Sequence, residues 1–307
     1  MTITVAAPDE FASHFIANGT VTIEGYDVQP SWPGGPGGAI YTSAFSEPMY
    51  DVIVLPVTNF LIAVDQGLPY WGVPVFIDIF FPQIAVRVNR NAGITVPTDL
   101  EGKRVGVRGY AFNPGIWVRG ALADMYGVDL TKVKWVAAHP NSLSTVPMTH
   151  DGFDVELTEG NLDDMLASGE LDAVFYDRGG PPANEMTKHL FESPLEEALK
   201  YHLLSGVTPL NSLLVAKKSV IEENPGLGEA LVAASNKARD LYFETVQDAE
   251  DHMGLPVSWL RQNGIFPHRN GLDNNRISLE TIVRYSWDAG IIKSTYAIED
   301  LFFPGTE

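Results

Sequence analysis

A chain of 307 residues with 45% apolar content can bury one large core or two smaller ones, which excludes a disordered polypeptide. Its 20 basic side chains face 39 acidic ones, a formal charge of −19, so it repels phosphate backbones and anionic lipid, and neither nucleic acid nor a membrane is an expected partner. With no cysteine in the sequence, disulfides, thiolate catalysis and thiolate-held zinc are excluded too.

The opening residues, MTITVAAPDEF, contain no basic leader followed by an apolar run, and a cytoplasmic location is expected. Residues 2–6 alternate and are β-branched, predicting a strand; Asp9 is then placed to cap a short helix over 10–17. The glycines at 34, 35, 37 and 38 lack the Lys-Ser/Thr ending of a phosphate loop and read as a connection. DVIVL (51–55) is continuously apolar, as in a strand covered on both faces, and Thr58 opens a helix to about 66. Further strands are expected at 84–89, 104–107, 133–137, 173–176 and 213–216, with helices at 114–126, 161–167 and 228–245, and one at 278–289 capped by Ser278 and closed by Gly290. This is a parallel α/β pattern. With 84–89 and 213–216 as crossing strands, residues 1–86 plus 214–307 form one discontinuous lobe and 87–213 an inserted second.

Three segments in order, DLEGKRVGV (99–107), GIWVRGALADMYGV (115–128) and LASGELDAVFYDRGGPP (166–182), are followed by TPLNSLLVAKKSVIEENP (208–225), NGLDNNRISLETIVRYSWDAGI (270–291) and EDLFFPGT (299–306). Together they resemble the 4,5-dihydroxyphthalate decarboxylase family along nearly the whole chain. The resemblance implies a type II periplasmic-binding-protein-like fold, two lobes each with a central sheet flanked by helices, joined by two hinge strands. It also implies cofactor-independent loss of a ring carboxylate and a small organic acid as ligand. The sequence departs from the family pattern where ligand contacts are expected. Ile79, Pro82 and Gln83 stand in place of basic residues and a histidine, Arg108-Gly109-Tyr110 in place of Pro-Glu-Tyr, Asn211-Ser212 in place of Met-His, and His268-Arg269-Asn270 in place of an aromatic-Pro-Tyr step.

Ligand contacts in this fold class gather in loops at the carboxyl ends of strands. Arg108, Tyr110 and Asn113 follow one buried strand, Asp177 and Arg178 another, and Thr58 and Asn59 a third; Asn211, Ser212 and Arg269 join them through the altered family positions. Guanidiniums and helix N-terminal amides suit a carboxylate. Decarboxylation of a hydroxylated ring needs a proton donor, for which His268, Asp177, Asp78 and His139 are the candidates. Trp32, Tyr70 and Trp71 are candidates for stacking on a ring, whereas Trp117, Tyr126, Tyr285 and Trp287 fit core packing, and His252 reads as a surface residue. The scattered histidines have no metal-ligand spacing, so no metal is expected. A non-catalytic solute-binding protein for a small organic anion is the alternative reading.

Overall fold

The computed structural model describes residues 2–31, 41, 44–45, 49–138, 153, 155–266 and 268–305. The chain enters through β1 (Ile3–Ala6), β2 (Val28–Ser31), β3 (Val52–Pro56) and β4 (Tyr70–Ile79). It crosses over to β5 (Val86–Asn89), β6 (Arg104–Val107), β7 (Lys134–Ala137), β8 (Val155–Leu157), β9 (Ala173–Phe175) and β10 (Thr187–His189), then returns through β11 (Leu210–Lys217). One sheet has the order β2-β1-β3-β11-β4 and the other β10-β5-β9-β6-β7-β8. In each, an antiparallel return strand is set among parallel ones: β11 between β3 and β4, and β5 between β9 and β10. The fold is two-lobed α/β. The expected partition at 213/214 falls inside β11, whose pairing with β4 already begins at Leu210 opposite Ile79.

β3 and β9 are buried on both faces, which explains their unbroken apolar runs, and β6 is so from Val105 to Val107. The parallel members β1, β3, β6 and β9 all aim their carboxyl ends at loops that carry polar residues, the geometry that makes a ligand site in open α/β sheets. β2 and β4 gave no strand signal because they contain Pro30 and Pro74, and both lie at sheet edges, where a missing N–H is tolerated.

Several local expectations are corrected. Asp9 does not cap a helix over 10–17: its carboxylate pairs with His14 Nδ1 at 2.6 Å, and only a turn at Phe11–Ser13 and the short helix His14–Ala17 form. The helix expected from Ser278 begins at Leu272 and ends at Asp288; Ser278 is interior, and its hydroxyl accepts from the Thr208 amide at 2.9 Å. Trp287 is half exposed rather than core, while Trp117 and Tyr285 are buried as expected. Tyr70 is buried with its hydroxyl on the Ala44 carbonyl, and Trp71 lies under the Lys218 ammonium, so neither is free to stack on a ring. Trp32, His139 and the glycines at 34–38 lie outside the described residues.

The lobes are packed together behind the site. Helix Asn113–Tyr126 follows β6 and meets helix Leu272–Asp288 so closely at Gly120 that a Cβ there would come within 2.1 Å of the Tyr285 ring. Trp117, on the first of these helices, donates from Nε1 to the Leu210 carbonyl of β11 at 2.8 Å. Burying such a residue fully makes its truncation costly, about 3–5 kcal/mol for an aromatic replaced by Ala.

Candidate functional site

Three loops meet the ends of β4 and β11. The loop after β6 brings Arg108 and that after β9 brings Asp177 and Arg178; the loop after β1 brings Glu10 and Phe11. Arg108 pairs with Asp177 at 3.2 Å within the second lobe, and Arg178 reaches across to Glu10 of the first lobe at 3.1 Å. All four side chains remain roughly one-third to one-half exposed, so solvent or a ligand can reach them. Against the desolvating effect of partial burial, the Glu10 hydrogen bond and the carboxylates of Glu10, Asp78 and Asp177 hold the Arg178 guanidinium above its ordinary pKa.

Tyr41 ties these groups into one place, because its hydroxyl feels Asp78, Arg178, Glu10 and Arg108 at once. Burial, reinforced by Asp78 and Glu10 and opposed by the two arginines, pushes its phenol up to about 12, so it stays a hydrogen-bond donor near neutral pH. Asp78, near the end of β4, is buried, with 6% of its surface exposed. Burial raises its carboxyl above the ordinary range, although hydrogen bonds from Asn211 and Ser212 and the charge of Arg178 pull the other way. Its Oδ2 accepts from Asn211 Nδ2 at 2.9 Å, and no described residue reaches its Oδ1. A carboxyl with one unpartnered oxygen and a raised proton affinity can hold a proton and hand it on.

The hinge side is closed by a chain of amides. Asn113 Oδ1 accepts from the Thr58 amide at 3.2 Å, and its Nδ2 donates to the Leu210 carbonyl at 3.1 Å and to Asn211 Oδ1 at 3.2 Å; Thr58 Oγ1 donates to the Ala111 carbonyl. Thr58 and Asn113 were expected to touch ligand. Both are fully enclosed with their polar atoms engaged across the lobes, and they serve as a clasp. Asn59 is buried at the same helix start. Asn211 and Ser212 do join the site, through Asp78.

At the outer rim, three non-glycine residues adopt left-handed backbone: Phe11 (φ 50°), Arg178 (φ 53°) and Met253 (φ 56°). They meet there. The Phe11 ring lies 4.4 Å from His252 and 5.9 Å from the Arg178 guanidinium, and a Cβ on Gly254 would fall 2.7 Å from the Arg178 carbonyl, so only glycine fits. Such conformations persist where the surroundings over-determine them, as at binding sites. His252 is buried among Phe11, Tyr242 and Phe266, not on the surface, and burial pushes its imidazole down to about 3.

Of the other expected site residues, Tyr110 lies wholly in the core with its ring 4.2 Å from the Arg119 guanidinium. Arg269 is exposed and joins neither ion pair. His268 packs edge-on to Phe76; its Nε2 has no solvent contact, and burial pushes its imidazole down to about 4, so it carries no proton to donate as an imidazolium near neutral pH. Asp177 is engaged as the counter-ion of Arg108 rather than placed as an acid. Tyr41, Glu10 and His252 were missed. Glu10 could have been found by the strand-end rule that found Arg108, whereas nothing around Tyr41 marks it locally. Among the described residues no cluster of His, Asp or Glu has the makings of a metal site, and no helix is long and apolar enough to cross a membrane.

The family model described as NMT1/THI5 like matches residues 50–249. A 4,5-dihydroxyphthalate decarboxylase of Comamonas testosteroni is 30% identical over 247 residues, 76% of this chain and 73% of that relative. A second, of Pseudomonas putida, is 30% identical over 170 residues, 53% of this chain and 65% of the relative. Among solved structures, the periplasmic aliphatic sulphonate binding protein SsuA of Escherichia coli aligns over 99% of this chain and 98% of its own, with a TM-score of 0.58 and 13% identity. The desulfurization enzyme DSZB aligns over 99% of this chain and 97% of its own, with a TM-score of 0.55 and 13% identity. At such identities these structures speak for the fold alone, a fold used by binding proteins and enzymes alike.

Proposed function

Because the chain belongs to the NMT1/THI5-like family and to the 4,5-dihydroxyphthalate decarboxylases, we propose that it is a cofactor-independent decarboxylase or related lyase. Its substrate is a small hydroxylated aromatic or unsaturated carboxylic acid held between the lobes. The observation that carries this reading is Asp78, a buried carboxyl of raised proton affinity beside Tyr41 and within the field of Arg178.

Asp78 gives its proton to the ring carbon that bears the carboxylate, and the ring becomes a dienone-like intermediate supported by a hydroxyl ortho or para to that carbon. The carbon–carboxylate bond then breaks, its electron pair restores the ring, carbon dioxide leaves, and solvent returns a proton to Asp78. Arg108 and Arg178 hold the anionic edge of the substrate, and the Tyr41 hydroxyl, protonated near neutral pH, donates to a substrate oxygen. Closure of the lobes strengthens these contacts by excluding water. Incubating the pure protein with hydroxylated benzoates and phthalates, and following carbon dioxide and ring absorbance, tests the reading; no turnover across the panel refutes it.

The accessible ion pairs Arg108–Asp177 and Arg178–Glu10 favour a second reading, a solute-binding protein that closes on an organic anion and releases it unchanged. Stoichiometric recovery of intact ligand identifies that case. A cytoplasmic site of action is part of the proposal and is checked by fractionating cells that express the chain.

A further inference from the structure

Resting on the decarboxylase reading, we infer that the site takes a substrate bearing a single carboxylate, and that Glu10 and Asp177 set this selectivity against dicarboxylates. The charged side chains that meet at Tyr41 cancel: Arg108 faces Asp177 at 3.2 Å and Arg178 faces Glu10 at 3.1 Å. Asp78 behind them accepts from Asn211 Nδ2, not from a cation.

Arg87 and Arg119 are committed elsewhere, and Arg269 is exposed and joins neither ion pair. Arg87 donates to the carbonyls of Ile84, Gly179 and Pro181, and Arg119 is enclosed by the rings of Tyr110 and Trp135. Residues 32–48 and 139–152 contain neither lysine nor arginine, so these segments supply no fixed cation. Two guanidiniums therefore stand against two carboxylates, with the acid Asp78 in addition.

A monoanion fits this balance. Each guanidinium has five N–H donors and spends one on its carboxylate partner among the described residues, and because both act on the Tyr41 hydroxyl their remaining donors can converge on one carboxylate of a ligand. A second carboxylate would sit beside Glu10, Asp177 or Asp78, where the cations acting on Tyr41 are the same two paired guanidiniums, in a molecule that already carries a formal charge of −19. The curated relatives are named for a dicarboxylic substrate, and this site differs from what such a substrate needs.

The test is calorimetric titration of the intact chain with 3,4-dihydroxybenzoate and 4,5-dihydroxyphthalate, which share a ring and a catechol pair and differ by one carboxylate. The wild type is expected to bind the benzoate at least about ten-fold more tightly. Glu10→Gln and Asp177→Asn are each expected to strengthen phthalate binding more than benzoate binding, narrowing the gap by about ten-fold, with melting curves showing that both variants fold. Equal affinities, a preference for the phthalate, no binding of either acid, or an unchanged gap in both variants overturns the inference. Carbon dioxide release is read separately. Turnover of phthalate but not benzoate overturns the selectivity and leaves decarboxylation standing, whereas selective binding without turnover of any acid upholds the selectivity and refutes decarboxylation.

Discussion

Asp78→Asn separates the chemistry of the site from its stability. The amide keeps the volume and an oxygen to accept from Asn211 Nδ2, now at 2.9 Å, while the transferable proton and the buried charge disappear. A positioned general acid contributes about 10²- to 10⁴-fold, so kcat should fall by at least about 100-fold with KM changed by less than about three-fold. Stability should move the other way. Burial raises the carboxyl's pKa in the folded protein, so the unfolded chain releases this proton at lower pH than the folded one. The resulting destabilisation sets in as pH rises through the unfolded value and is complete above the folded value. Asparagine carries none of it, and a relief of about 1 kcal/mol would raise the melting temperature at neutral pH by about 2 °C or slightly more. In the wild type, kcat should decline as pH rises through the raised pKa. Steady-state kinetics and calorimetry of the pair decide the matter: a variant that keeps its kcat within about three-fold, or melts below the wild type, refutes the assignment of Asp78 as acid.

Arg108→Gln should raise KM by about ten-fold or more with a smaller change in kcat, since it removes a contact made before and during reaction alike. Asn113→Ala strands the Thr58 amide and the Leu210 carbonyl, and should destabilise the protein by about 1–3 kcal/mol in a denaturant titration. Gly254→Ala should lower both activity and melting temperature, because its new methyl must displace the Arg178 backbone across the rim. His252 and His268 are held neutral in the fold, so protonation favours the unfolded chain as pH falls below the ordinary histidine value of 6.5. The wild-type melting temperature should therefore drop between pH 7 and 5, and His252→Phe should flatten that slope.

The central strands were legible in the sequence because burial on both faces demands continuous apolar runs, as in β3 and β6. The edge strands β2 and β4 were not, since edge position is a property of the assembled sheet and alone explains why Pro30 and Pro74 are tolerated. Strand-end logic pointed to Arg108, Asp177 and Arg178, which the structure brings together around Tyr41. It could not assign roles to Thr58 and Asn113, because a side chain suited to a ligand is equally suited to a partner 55 residues away. His252 was misplaced for a related reason: its enclosure comes from Phe11, far off in sequence, through a left-handed backbone that no local pattern announces. Burial separates His268 from Asp78 as donors, since the same loss of water makes an imidazole give up its proton and a carboxyl keep one.

Asn211 has a single amide, and both ends are spoken for: the oxygen by Asn113 of the inserted lobe, the nitrogen by the carboxyl of Asp78. Any hinge rotation that draws the lobes apart must take Asn113 away and leave that amide free to turn. The acid then loses its orienting neighbour at the moment the groove fills with water. On the proposed mechanism, proton delivery is thus tied to posture, and a ligand that fails to bring the halves together meets a donor that is not yet aimed.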